Sequence, residues 1–561
     1  MPSIAFSKHP QLLPIPRNNN NNISYCKNNT SDSNNNKNHI PLSTRQLENH
    51  AFSLLQSCNS FAHLTQIHAH IIRHSIYHNN FVATKLVSSY FSSHNPSYAL
   101  CVFEEMPHPN TFLWNAVIKG LVNLNSHQEA LIFYSRMLAR GSEPDRLTFP
   151  FTLKACSKLL AAEEGEALHG QILKLGFGSD VYTQTSLLDF YGSCNDISAA
   201  CHVFNRMPER DVVSWNAIVA CCVRCGLMEL GKELFEEMPV KNVSSWTTMI
   251  GGFVHIGSTR EALALFHRMQ MDGVKPDKMT IVTVLSAVAD LGMLDFGKWV
   301  HDYVKKNEIE INAFVGTALI DMYAKCGSIQ EARIVFDGIS LKTISCYNAM
   351  IMGLAIHALG EEAISVFREA ERMGIGIDNV TMIAILSACR HSGLVEEGVR
   401  FFNSMKEGFG IEAKMEHYRC MVDLLGRAGW FDEAMEMVES IEADSIALGT
   451  LAFACQIHGN VGLGEKLMST ISMLDPSDCG LLVLKSKLYA ADGKWEEAAK
   501  VRRLMKDRGN EKKPGSSWIE VNNVIHEFVA GDDSHPYSKE IYSKLAELSE
   551  QMKLPAPMKP K

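Results

Sequence analysis

Apolar residues recur along this chain first with the spacing of a helix, then with a much longer period. In 258–277, "STREALALFHRMQMDGVKPD", Ala262, Leu265, Phe266 and Met269 fall at i, i+3, i+4 and i+7, one apolar stripe on one helix face. Ser258 and Glu261 stand ahead of the stripe at capping-box spacing, which returns at Ser126/Glu129 and Ser328/Glu331. Gly257 and Gly273 sit where helices must stop. Each such segment predicts two antiparallel helices of about a dozen residues joined by a short turn.

The longer period comes from the aromatic residues. Trp114 in "TFLWNAVI" and Trp215 in "VVSWNAIV" are 101 residues apart, as are Trp246 in "VSSWTTMI" and Tyr347 in "ISCYNAMI", and Tyr90 and Tyr191. Trp215 and Trp246 differ by 31, so the interval divides into two steps of 35 and one of 31. A fixed period of this size marks a repeat architecture, and the text inside each period is helical. One hairpin cannot bury its own stripe, so neighbours must stack. The fold class predicted is all-α, a solenoid of tandem helix-turn-helix repeats with a short C-terminal extension.

Composition narrows the classes. Of 561 residues, 46% are hydrophobic, ample for a core, yet no window holds the ~18 uncharged apolar residues of a membrane helix. No membrane partner is expected. The 15 cysteines are scattered without framework spacing, which suits a reduced compartment. A net charge of −9 argues against generic phosphate binding. The main basic run, Arg502, Arg503, Lys506, Arg508, Lys512 and Lys513, reads as a solvated helix face. Residues 1–44 differ in kind. They include "NNNNN" at 18–22 and one acid, Asp32, against Lys8, Arg17, Lys27 and Lys37. An acid-poor, Ser-containing, low-complexity leader predicts a disordered organelle transit region.

Short motifs suggesting catalysis have plainer explanations. A zinc deaminase needs His-x-Glu and Pro-Cys-x-x-Cys. His127-Gln128-Glu129 places its Glu at a helix cap, and Cys222 and Cys225 lack a preceding Pro and fall in helical text. "GLMELGKE" at 226–233 and "GMLDFGKW" at 292–299 lack the Ser or Thr after Lys that a phosphate loop needs for its metal. His63, His68, His70, His74 and His78 crowd one second helix and its exit, where solvated helix residues are the expectation. No catalytic residue, metal site or cofactor is predicted, and the protein is read as not an enzyme.

"WTTMIGGFVHIGSTREALALFHRMQMDGVKPD" and "LIDMYAKCGSIQEARIVFDG" resemble the pentatricopeptide repeat family, and the 35/35/31 alternation resembles its plant subclass with P, L and S repeat types. The resemblance covers roughly 45–553 and implies a right-handed superhelix. It gives twelve repeats, 45–79, 80–110, 111–145, 146–180, 181–211, 212–242, 243–277, 278–312, 313–343, 344–378, 379–414 and 415–444. "LGTLAFACQIHGNVGLGEKL" and "LYAADGKWEEAAKVRRLMKDRGNEKKPG", within 445–515, resemble the family's paired E motifs. "SSWIEVNNVIHEFVAGDDSHPYSKEIYSKLAEL", within 516–553, resembles the extension that follows them, with a strand-like start, and leaves a tail at 554–561. Proteins with this layout are, as a family, C-to-U RNA editing factors of plant organelles. The resemblance therefore implies a mitochondrial or chloroplast location, a single-stranded RNA partner, and a deaminase-domain protein or other editing factor acting in trans. Rival readings are an organellar RNA stabilisation, splicing or translation factor, and a tetratricopeptide-like protein scaffold.

In that family one base is read per repeat, by the fifth and last residues. The resemblance assigns Thr84/Asn110 to A, Asn115/Asp145 to U, Thr185/Asp211 to G, Asn216/Asn242 to a pyrimidine, Thr247/Asp277 to G and Asn348/Asp378 to U. Thr317/Thr343 departs from the usual pairs and is left open. Pro150/Asp180, Val282/Asn312 and Ile383/Lys414, with apolar fifth residues, are expected to tolerate any base. The second residues Phe81, Phe112, Leu147, Tyr182, Val213, Met279, Phe314 and Val380 would pack on base faces, with Ser244 and Ser345 as departures. The competing explanation for the polar fifth residues is helix capping.

Overall fold

A helix start leaves backbone N–H groups without partners, and this chain supplies one at almost every repeat boundary. Asp180, Asp211, Asn242, Asp277, Asn312 and Asp378 each accept a backbone N–H from the turn that follows. In the computed structural model these caps open the leading helices of successive hairpins. The structure describes residues 44–440, 444–474, 479–507, 516–521, 524–529 and 534–553. The leader before residue 44, the basic residues Arg508, Lys512 and Lys513, and the tail 554–561 lie outside the described residues.

The chain divides into two units, 1–109 and 110–561. In the first, helices Thr44–Gln56 and Phe61–Arg73 form one hairpin, and Asn80–Ser92 and Pro96–Glu104 form another. In the second, hairpins follow one another from Thr111–Asn123 to Trp495–Asp507. Within each unit the leading helices pack on one another in succession. Within each unit a second helix packs on its own partner and, in nearly every repeat, on the next leading helix. The described residues form 29 helices and one two-stranded sheet, the all-α array expected from the sequence.

Repeat 243–277 shows why the pattern folds this way. The leading helix Val243–His255 buries Trp246, Met249, Ile250 and Phe253, and Thr259–Met271 buries Ala262, Leu265, Phe266 and Met269. Each large apolar side chain so buried contributes roughly 1.5–3 kcal/mol. Trp246 meets Phe235 of the preceding repeat edge-on at 4.9 Å. Gly257 and Gly273, with φ of 76° and 74°, make the turns. The Ser/Glu capping boxes do not form. Ser126, Ser258 and Ser328 hold the N-cap position, but their side chains accept no backbone N–H, because ψ near 60° turns them away from the first turn. Boxes form instead at the repeat boundaries, with Asn242/Ser245 and Asp378/Thr381.

Beyond 444 the stacking continues. Helix Ser445–His458 packs on Met415–Ala428, with Leu448 and Leu451 in one buried cluster with Leu424 and Leu425. Strands Ser516–Val521 and Val524–Val529 then pair antiparallel, Trp518 opposite Glu527, ahead of helix Ser538–Lys553.

Candidate nucleic-acid interface

The second and fifth residues of a repeat are three apart on its leading helix and so share a face. The last residue caps the next leading helix, beside that face. The structure leaves the apolar second residues in solvent. Phe81, Phe112, Leu147, Tyr182, Val213, Met279, Phe314 and Val380 range from 40% exposed at Leu147 to 62% at Phe112. Phe81 is the exception in its surroundings, since its ring stacks on Phe52 at 4.4 Å. A groove of about 780 Å³ brings Phe314, Ser345 and Val380 together with Thr317, Thr343, Asn348 and Asp378. A second, of about 560 Å³, joins Tyr182 and Val213 to Thr185 and Asp211. Ser345 is short, which widens the first groove between Phe314 and Val380.

The three Asn pairs are hydrogen-bonded. Asn115 Nδ2 donates to Asp145 Oδ1 at 2.9 Å, Asn216 Nδ2 to Asn242 Oδ1 at 3.2 Å, and Asn348 Nδ2 to Asp378 Oδ1 at 3.1 Å. Asn115 and Asn348 are buried, so these amides are held, not waving in solvent. Burial raises the Asp378 carboxyl's pKa. Bonds from the Thr381 amide and hydroxyl, the Asn348 amide and the Val380 N–H outweigh that, and hold it below the usual carboxylate range.

The Thr pairs are arranged differently. The hydroxyls of Thr84, Thr185, Thr247 and Thr317 donate to carbonyls one turn back, those of Asn80, Val181, Val243 and Ala313, at 2.7–2.9 Å. Thr185 has no hydrogen bond to Asp211, which caps Ser214. Thr247 reaches Asp277 through Thr280. Its Oγ1 lies 2.6 Å from Thr280 Oγ1, itself 2.8 Å from Asp277 Oδ1, so when Thr280 donates to Asp277 the Thr247 proton turns from Val243 to Thr280. Thr317 and Thr343 both contact the Cys346 sulfur, at 3.4 and 3.6 Å. Asn110 caps helix Thr111–Asn123. Capping therefore belongs to the last residues, while the fifth residues lie inside the first turns.

The structure adds residues that sequence reasoning passed over. Asn79 Nδ2 donates to Glu48 Oε1 at 2.6 Å, and the first helix begins at Thr44. The fifth position of the first repeat is therefore Glu48, one residue earlier than a start at 45 implies. In the last repeat Arg419 and Asp444 form a two-point ion pair, Nε to Oδ2 at 2.8 Å and Nη2 to Oδ1 at 3.0 Å. The Arg419 guanidinium holds the Asp444 carboxyl below its ordinary pKa, so this pair is closed on itself. Thr148, Thr183, Ser214, Ser245, Thr280 and Thr381, the third residues of their repeats, are buried hydroxyls behind the grooves. Their recurrence at an otherwise apolar position was the available signal.

The plainer readings of the short motifs fit the geometry in part, since Glu129 closes no capping box and His68 is half-buried against Tyr90. Glu129 is in the first turn of His127–Ala139. Cys222 is inside Val212–Arg224, where burial pushes its thiol up to about 12. Of the glycines in the two phosphate-loop lookalikes, Gly226 and Gly292 lie at inter-helix turns with positive φ, while Gly231 and Gly297 are buried inside helices Met228–Glu237 and Leu294–Lys306. His68 Nδ1 lies 2.8 Å from the Tyr90 hydroxyl, and His70 packs on His74.

Comparison with known proteins matches this architecture. PPR repeat models match 109–158, 185–212, 213–243, 241–290, 317–340, 345–375, 380–408 and 416–446, an E motif matches 458–520, and an E+ motif matches 525–552. A putative chloroplastic pentatricopeptide repeat-containing protein of Arabidopsis thaliana is 45% identical over 499 residues, covering 89% of this chain and 91% of its own. A mitochondrial one from the same plant is 38% identical over 615 residues, covering 90% of each. The maize pentatricopeptide repeat protein PPR10 aligns structurally over 84% of this chain and 85% of its own, with 17% identity and a TM-score of 0.43. With capped hairpins in tandem, identities of this order over nearly the whole length and E and E+ segments after the repeats, the chain belongs to the pentatricopeptide repeat family, in its PLS-type E/E+ subgroup.

Proposed function

We propose that the protein binds single-stranded RNA in a sequence-specific way and serves as a site-recognition factor for organellar C-to-U editing, with the deaminase supplied in trans. One observation carries the reading. Polar fifth and last side chains are bonded to each other at 115/145, 216/242 and 348/378, beside exposed apolar second residues on both sides at 115/145 and on one side at the other two. A base entering between successive second residues would stack on them and meet the polar pair edge-on. At Asn115/Asp145 the amide keeps one N–H for a carbonyl of uracil, and a carboxylate oxygen can accept from uracil N3–H. Cytosine offers a lone pair at N3 and would be refused. A chain of net charge −9 needs such hydrogen-bonding and stacking contacts for affinity, and its salt dependence should be gentle.

The E and E+ matches support the editing role, and the compartments in the relatives' names support an organelle, chloroplast or mitochondrion. In editing factors of the family the last repeat aligns four nucleotides 5′ of the edited cytidine. The pairs then specify 5′-A-U-N-G-Y-G-N-N-U-N-N-N-N-N-C. The test compares this RNA with a shuffled one in a gel shift, together with organellar transcript sequencing of a plant lacking the protein. Equal binding sinks base reading. A changed transcript end or intron with every cytidine still edited favours a stabilisation or splicing factor instead.

A further inference from the structure

Behind the bonded pairs stands a third side chain. At repeat 111–145 the Thr148 hydroxyl lies 2.7 Å from Asn115 Oδ1 and 3.0 Å from Asp145 Oδ1, and accepts the Asp145 backbone N–H at 3.0 Å. At 212–242 the Ser245 hydroxyl stands 2.7 Å from Asn216 Oδ1 and 3.0 Å from Asn242 Oδ1, and accepts the Asn242 N–H at 3.1 Å. At 243–277 Thr280 is the link between Thr247 and Asp277. At 344–378 Thr381 donates to Asp378 at 2.8 Å, and Asn348 Oδ1 is buried without a partner among the described residues. These hydroxyls belong to the following repeat and are fully buried, so no base can touch them. Resting on the base-reading proposal, we propose that the third-position hydroxyls of the following repeats, Thr148, Ser245 and Thr280, are positioning residues that orient the fifth and last side chains and so set base discrimination, while Thr381 holds the last residue Asp378 alone.

The chemistry follows from the count of donors. A Thr or Ser hydroxyl has one proton and two lone pairs. At Thr148 the backbone N–H takes a lone pair and the proton goes to one of two acceptors, Asn115 or Asp145. Its bond to Asn115 Oδ1 and the bond from Asn115 Nδ2 to Asp145 fix the amide at both ends. A carboxamide fixed this way cannot flip its oxygen and nitrogen, and the flip is what would convert an edge suited to uracil into one suited to cytosine. Without the hydroxyl, only one end is held. Where the third residue is Cys346, its sulfur is a weak partner, and Thr317/Thr343 is the pair that departs from the usual combinations. A repeat's specificity would thus depend on three side chains from two repeats.

The test uses the full-length protein with Thr148→Val, Thr148→Ser and Asn115→Ala, each measured against RNAs bearing U or C opposite repeat 111–145. The same RNAs varied opposite repeat 344–378 serve as an internal control. Val matches Thr in shape and lacks the hydroxyl. Thr148→Val should reduce the U/C preference at repeat 111–145 by about tenfold, the value of one mispaired polar edge, and leave it unchanged at 344–378. Thr148→Ser should keep the preference. A purely structural loss would weaken U and C RNAs together and leave the ratio intact, which would overturn the proposal. If Asn115→Ala also leaves the ratio intact, base reading itself fails. If Asn115→Ala erases it while Thr148→Val does not, only the positioning role fails. Should Thr148→Val not fold, Thr280→Val gives the same readout for G against A opposite repeat 243–277, with the same outcomes for and against.

Discussion

On the base-reading proposal, replacing Thr247 by Asn should switch one repeat from G to U, because that one residue changes the polar edge the repeat presents. Thr247 and Asn348 occupy the same position in their repeats, each followed by Asp at the last position, Asp277 and Asp378. Thr247 is too short to reach Asp277, and its hydroxyl is bound to the Val243 carbonyl at 2.9 Å and to Thr280. Asn348 spans the gap and donates directly to Asp378 at 3.1 Å. An Asn at 247 should adopt that bond and present an amide N–H in place of a rotatable hydroxyl. Folding should barely change, since Thr and Asn have similar helix propensities within about 0.2 kcal/mol, and the equivalent sites at 115 and 348 already hold buried Asn. Against the original RNA the mismatched edge should cost about 1–3 kcal/mol, or about tenfold to a hundredfold in affinity. An RNA with U opposite this repeat should recover most of it. The assay is a gel shift of both proteins on both RNAs at one salt concentration. Four equal affinities would refute base reading at Thr247. Loss without recovery would mean that the side chain packs and does not read.

Three further outcomes follow from other parts of the molecule. Gly165 lies inside helix Ala162–Lys174, where Ala ordinarily gains about 1 kcal/mol. A methyl there would overlap the Phe190 ring, so Gly165→Ala should instead destabilise by about 1–3 kcal/mol in a denaturant melt, and a stabilised variant would contradict the packing. Removing 516–561 should abolish editing in the plant and leave RNA affinity within about twofold, since the hairpins to 507 still cover the cluster around Leu424 and Leu451. Retained editing, or lost binding, would refute that division. Burial lowers the pKa of His169 and His301, whose Nδ1 atoms bond Tyr191 and Tyr323 hydroxyls. The unfolded chain protonates these near pH ~6.5 while the folded one resists. Stability present above that pH should therefore fall as pH drops below it. The melting temperature should decline from pH 7.5 to 5.5, less steeply in His301→Phe, and parallel profiles would remove His301 from the account.

Much of the array was legible because it rests on local rules. The stripe Ala262, Leu265, Phe266, Met269 is buried as its spacing requires, and Gly257 and Gly273 turn the chain where a helix had to stop. The capping boxes failed for an equally local reason. Ser-x-x-Glu spacing names two residues able to cap, but the box also needs an extended N-cap backbone. The short turn between paired helices fixes ψ of Ser258 near 60°. The boundaries between repeats, with ψ close to 180° at Asn242 and Asp378, allow the box. The start of the array slipped by one residue because Glu48 and Asn49 are both polar, and only the bond to Asn79 separates them.

Sequence reasoning named the second and fifth residues of the candidate site and passed over the third. Second and fifth residues announce themselves, an apolar side chain that must be exposed and a polar one that must be half-buried, both at odds with an ordinary amphipathic helix. A single third residue breaks no rule, since a Thr or Ser at N3 is unremarkable beside a capping Asp, and only the recurrence of Thr148, Thr183, Ser214, Ser245, Thr280 and Thr381 sets the position apart. Its meaning appears only when Thr148 is found within 2.7 Å of Asn115, 33 residues earlier in the chain. The same holds for Arg419. Alone it reads as a basic residue free to meet phosphate, and only the two-point bond to Asp444 shows that its charge is spent inside the protein. On the base-reading proposal, each pair would be only as sharp as the buried contacts that hold it still.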